Sequence, residues 1–144
     1  MAWDLHNNIK RVRSISPVAI GTTGTGQAGK IVDRLGYQSV EFELDYGSIT
    51  ATNAVFTVVL KEGDTTGAMT SIADADLIGT ELAAGIAAGT PRTSGSNKNV
   101  SKRVGYKGIK RYVQVAKLSS TITAATPVAA TVLLGHPRNA PVAT

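Results

Sequence analysis

RVGYKGIKRYVQVAKL, Arg103–Leu118, decides how the fold is read, together with VAATVLL, Val128–Leu134. Beyond the Gly105–Gly108 turn region, Tyr112, Gln114, Ala116 and Leu118 fall on one side of an extended chain. Val113, Val115 and Lys117 fall on the other, because strand side chains alternate between faces. Val128, Ala130, Val132 and Leu134 repeat the alternation and are rich in β-branched residues. The spacer SSTITAATP ends in Pro127, which has no N–H to give a ladder. The expectation is a late, long β-hairpin with a basic approach of Lys102, Arg103, Lys107, Lys110 and Arg111. No reactive group sits in it, so the stretch is built to pack and to touch a partner.

Upstream, the same alternation returns. A short strand over Lys30–Arg34 is turned by Gly36–Tyr37. Val40, Phe42 and Leu44 then point inward, with Ser39, Glu41 and Glu43 outward. Glu41 and Glu43 share a face, and the solvated side of a strand explains them better than an acid pair. AVFTVVL, Ala54–Leu60, is nearly apolar on both faces and reads as a central strand. A helix near Asp76–Ala88 is interrupted by Gly79, Gly85 and Gly89, each costing about 1 kcal/mol relative to Ala. That segment is expected as an ordered connection or one helical turn. Asp74 and Asp76 lack the further acidic positions and glycine of a calcium loop. PRTSGSNKNVSKR, Pro91–Arg103, reads as an exposed basic loop.

GTTGTGQAGK, Gly21–Lys30, matches two phosphate-cradling patterns at once. The context fails both. Ile31 stands where a magnesium-holding Ser or Thr belongs, and Gly36 interrupts the chain before a helix can form. A flexible glycine-rich loop is expected, and no nucleotide or other cofactor.

The chain has 144 residues, enough for one domain. Aromatic content is 5% and cysteine is absent, which excludes disulfides and thiolate metal sites. No apolar run approaches the ~20 residues of a membrane helix, and MAWDLHNNIKRVRSI has no apolar stretch of secretory-signal type. The net charge of +5 divides unevenly: residues 1–81 carry six Lys/Arg against ten Asp/Glu, and residues 82–144 carry nine Lys/Arg and no acid. Such a split suits a basic docking face, a solvated surface or head-to-tail association.

The domain is expected over residues 16–136, between an N-terminal arm, 1–15, and a C-terminal tail, 137–144. In the arm, Ile9, Val12, Ile15 and Val18 come at every third position, a spacing of neither a clean strand nor a sustained helix. Trp3 is its natural anchor. His6 and His136 belong to no motif with Ser, Asp or metal-ligand residues. His136, in Gly135–His136–Pro137, is expected in a backbone turn just past the last strand.

DLHNNIKRVRSISP, Asp33–Arg34, Gly36–Tyr37, Gly105–Tyr106, Lys110–Arg111–Tyr112–Val113 and Gly135–His136–Pro137 together resemble small head proteins of tailed phages and prophages. The resemblance spans most of the chain and is weak over 65–101. It implies a β-rich decoration or cement subunit of the virion, oligomeric as a homotrimer or other small homo-oligomer. Its arms would reach the major capsid protein. The residues themselves predict an all-β fold, an antiparallel β-sandwich or jelly-roll-like barrel with extended N- and C-terminal arms. Expected partner contacts are Trp3, Lys10, Arg11 and Arg13 in the arm, and Lys107, Lys110 and Arg111 as docking charges. A head–tail joining or tail-tube subunit is the main alternative. A nucleic-acid-binding module is disfavoured, since Tyr106 and Tyr112 alone interrupt the basic stretch. No catalytic or metal site is expected.

Overall fold

An alternating segment has one apolar face, and two such sheets pressed together remove both faces from water. The computed structural model describes residues 4–21, 26–89 and 98–142. These form an antiparallel sandwich, as the alternation predicts. The strands are β1 (Ile9–Ile20), β2 (Gly26–Ala28), β3 (Val32–Asp33), β4 (Tyr37–Tyr46), β5 (Val55–Gly63), β6 (Thr70–Ser71), β7 (Leu77–Ile78), β8 (Ser101–Tyr106), β9 (Tyr112–Ser120) and β10 (Thr126–Pro137). One sheet runs β1-β10-β4-β8-β7; the other runs β2-β9-β5-β6, with β3 also paired to β9. Phe42, Leu44, Val104, Val132 and Leu134 of the first sheet and Phe56, Leu60, Val113 and Val115 of the second share one buried core. Burying each such side chain stabilises by about 1.5–3 kcal/mol.

The expected hairpin does not form. β9 pairs with β5, β2 and β3, whereas β10 pairs with β1 and β4. The connection crosses from one sheet to the other, with Ile122 buried in it and Thr121 at φ +55°. The grouping of side chains by face holds: Val113, Val115 and Lys117 are buried, as are Val128, Ala130, Val132 and Leu134. Alternation specifies which side is apolar. It does not say whether the next strand lies alongside or across the core.

The N-terminal arm is also revised, because Ile9–Ile20 is an edge strand paired with β10. Val12, Ile15 and Val18 stand opposite Val132, Ala130 and Val128, with register shifts between Arg13 and Ile15 and between Ile15 and Val18. Each bulge inserts one residue, so a spacing of three on β1 meets a spacing of two on β10. The tail turns back, and Val142 N–H donates to the Asn7 carbonyl at 3.0 Å.

The glycine-rich segment is not simply a loop. Gly26–Ala28 pairs with β9, while the expectation for 22–25 lies outside the described residues. At Gly29 a Cβ would stand 2.2 Å from Ser14 Oγ and 2.4 Å from the Val115 carbonyl. Packing, rather than phosphate, requires that glycine. The helical expectation reduces to one turn, α1 (Glu81–Ala84), where Thr80 Oγ1 accepts the Ala83 N–H at 3.0 Å. The basic loop expected over 91–103 is undescribed at 91–97, and from Ser101 it is β8.

Candidate functional site

At one end of the sandwich β8 finishes, β9 begins and β3 meets β4, so the loops Arg34–Gly36 and Lys107–Arg111 come together. Two bonds join them directly: Arg34 N–H to the Arg111 carbonyl at 3.0 Å, and Arg34 Nη1 to the Gly108 carbonyl at 2.7 Å. Tyr106 underpins the second loop. Its ring is buried and its hydroxyl donates to Glu62 Oε2 and accepts the Lys110 N–H. Burial, followed by the Glu62 hydrogen bond, raises the phenol pKa well above its ordinary value. Gly108 lies against that ring, where a Cβ would be 2.5 Å from the hydroxyl oxygen. The Arg34 guanidinium covers the ring at 5.4 Å.

Two of the expected docking charges are engaged within the chain. Arg111 grips Asp33 with two hydrogen bonds, at 3.0 and 2.7 Å, which lower the Asp33 pKa and raise that of Arg111. Lys110 Nζ meets Asp64 Oδ2 at 2.5 Å, and this hydrogen bond raises the lysine pKa. Lys107 is exposed, its backbone N–H held by the Asp76 carbonyl, and its ammonium has no ion-pair partner among the described residues. Bidentate and clustered charges of this kind order a loop more than they add stability.

What the anchored loops present is apolar. Ile109 is 90% exposed and Leu35 is 62% exposed. Sequence reasoning missed both. The available signal was Ile109 itself, an apolar residue inside a polar turn with no alternating neighbour to pack beside.

Lys10, Arg11 and Arg13 lie exposed on β1, at the margin of the first sheet and not in that loop cluster. Arg11 is 4.0 Å from Glu43, and Arg103 is 3.6 Å from Glu41. Burial raises the Glu41 pKa against the opposing pull of Arg103. The expected contact at Trp3 lies outside the described residues.

His136 stands in β10, not past it, at φ +49°, with its Nδ1 2.7 Å from Ser39 Oγ. They share a groove with Asp4, Leu5, Asn8 and Ile9. The Asp4 carboxylate accepts from Asn7, and its backbone carbonyl from Asn8, so among the described residues no acid is bonded to the imidazole to orient the pair as a general base. Among the described residues no cluster of three His, Cys, Asp or Glu side chains could hold a metal ion. No helix there is long and apolar enough to cross a membrane.

No protein-family model matches the chain, and no curated protein does. Solved structures do. The chain is similar to the PBSX exported protein XepA at 15% identity, covering 100% of this chain and 42% of that one, with a TM-score of 0.55. It is similar to a chain in the structure of infectious bursal disease virus, Gx strain, at 8% identity, 91% and 32% coverage and a TM-score of 0.53. The Gt strain gives 11% identity, 92% and 34% coverage and a TM-score of 0.50. At these identities the shared property is the β-sandwich. The chain spans less than half the length of those structures.

Proposed function

We propose that this chain is a non-enzymatic virion structural protein that binds and stabilises a phage capsid surface as a decoration or cement subunit. The observation that carries the reading is the anchored end of the sandwich, where exposed Ile109 and Leu35 stand on loops tied down by Arg34, Tyr106 and two ion pairs. Such a surface is organised for contact: the chain is already ordered, so docking loses little conformational entropy. The fold likeness to a PBSX exported protein and to virus structures supports a virion setting, as do the head-protein motifs in the sequence. The partners are the major capsid protein and copies of this chain, as a homotrimer or other small homo-oligomer. Many weak contacts on a lattice would act together through effective concentration.

The test is co-sedimentation of the purified chain with phage capsids prepared without it, alongside light scattering of the chain alone. Saturable sedimentation and a discrete small oligomer are expected. A second reading, a head–tail joining or tail-tube subunit, draws on the open margin of the first sheet at β1. Closed rings of the isolated chain that ignore capsids would favour it.

A further inference from the structure

We propose that the outer face of the second sheet is where two copies of this chain meet, sheet against sheet across a two-fold axis. This rests on the small homo-oligomer of the capsid-binding reading and selects an even-numbered one.

The two outer faces of the sandwich differ in kind. That of the first sheet carries Arg11, Arg13, Glu41, Glu43 and Arg103, the charges expected of a solvated sheet face. In the second sheet β5 and β9 turn Val55, Thr57, Val59, Ala116 and Leu118 outward, and β2 adds Ala28. Leu118 is 53% exposed. Beside them the Gln114 amide is already bonded to the Gly29 carbonyl at 2.7 Å. Lys61, toward one end, is the single charge among the outward residues of these three strands. Past β5 the surface continues into a cleft of about 410 Å³ beside Leu82.

Such a face gives an unlike protein little to recognise by electrostatic complementarity, but it matches itself. Its short and β-branched side chains leave it flat, and flat sheets pack face to face about 10 Å apart. Each copy carries a net charge of +5, so close approach costs least through a neutral surface. An axis through the Thr57–Leu118 pair sets Leu118 against Leu118 of the second copy. It also holds the two Lys61 residues about 26 Å apart, at ~3.3 Å per residue, well beyond the ~8 Å screening length of physiological salt. The face measures about 30 Å by 17 Å, from strand length and spacing. A pair therefore buries roughly 1,000 Å², the lower limit for a specific interface, and the contact is reversible.

The experiment is sedimentation equilibrium of the full chain over a range of concentrations, with Leu118→Asp, Thr57→Asp and a control, Ile78→Asp. Ile78 is as open as Leu118, at 64% exposure, but lies on β7 of the first sheet. The same four are tested for co-sedimentation with capsids lacking the chain. Wild type and Ile78→Asp are expected as reversible dimers. Leu118→Asp and Thr57→Asp should each weaken the dimer at least about tenfold, because every substitution enters a two-fold interface twice. Thr57 is already exposed, so its variant serves where Leu118→Asp fails to fold. A monomeric or trimeric wild type overturns the two-fold pairing, as does a dimer that both aspartates leave intact. If capsids still bind, the capsid reading stands without it. A monomeric wild type whose capsid binding the aspartates abolish assigns the face to the capsid protein and overturns the second copy. A dimer that the aspartates dissociate, from a chain that ignores capsids, supports this surface and overturns the capsid reading alone.

Discussion

Lys117 Nζ lies 4.0 Å from the centroid of the Tyr46 ring, inside the core of the sandwich. The lysine has 0% exposure. Its ammonium donates to the carbonyls of Asp45, at 3.1 Å, and Ala129, at 2.7 Å. A residue of β9 is thereby fastened to β4 and β10 of the opposite sheet. Two carbonyl acceptors and an aromatic face offset part of the cost of taking the charge out of water. Burial nonetheless pushes its pKa down to about 7, against a pull upward from Asp45.

Stability should therefore rise with pH above neutrality. Below pH 7 the amine is charged in both folded and unfolded chains, and the cost of burying it is present in full. Between about 7 and its ordinary value of 10.5 the unfolded chain binds the extra proton, so unfolding becomes harder by up to about 1.4 kcal/mol per pH unit. The trend reverses near pH 10, where Tyr46 and Tyr106, whose pKa values are raised in the fold, begin to ionise only when unfolded. Urea midpoints at pH 7, 8 and 9 should climb for the wild type and stay level for Lys117→Met. Equal slopes would show that the amine titrates in the fold as it does in water.

Gly29 and Lys30 bridge β1 and β9, the Gly29 N–H donating to the Val115 carbonyl at 2.8 Å and the Lys30 N–H to the Ser14 carbonyl at 2.9 Å. Gly29→Ala forces Cβ into that carbonyl and should destabilise by about 1–3 kcal/mol. Gly21→Ala is the control, since nothing lies within 4 Å of its added carbon. Chemical denaturation of the pair checks this, and a harmless Gly29→Ala would mean the two strands part freely.

Asp33 holds the Ile109 loop through Arg111. Its lowered pKa means that this contribution is present above the ordinary carboxylate value of 3.8 and lost as pH falls through the lower folded one. Asp33→Asn should speed amide hydrogen exchange at Lys110 and Arg111 several-fold at neutral pH, with little change in the unfolding midpoint. Unchanged exchange would assign the loop's order to Tyr106, Arg34 and the Lys110–Asp64 pair.

The layers of the fold were legible because Val40, Phe42, Leu44 and their counterparts on β9 and β10 alternate without interruption. Pairing was not, since Val113–Lys117 and Val128–Leu134 offer the same pattern whether they meet side by side or across the core. Beyond a short strand at Pro17–Ile20, β1 escaped recognition because its two bulges turn a period of two into the run Ile9, Val12, Ile15, Val18. Lys117 shares a side with Val113 and Val115 in the alternation, and only its carbonyl acceptors and the Tyr46 ring explain why a charge can stay buried there. The charge imbalance between the two parts of the chain was visible, yet its main use is internal. Of the four ion pairs among the described residues, Asp33–Arg111, Asp64–Lys110 and Glu41–Arg103 join an acid before residue 82 to a base after it. Lys107 is exposed with no ion pair among the described residues, and exposed Ile109 lies two residues further on.

Titration of wild-type chain onto capsids prepared without it, read by co-sedimentation at physiological salt, tests the central claim most directly. A plateau at a fixed number of copies per capsid subunit is the expected result. No sedimentation at any concentration, from a chain that is folded, would contradict it.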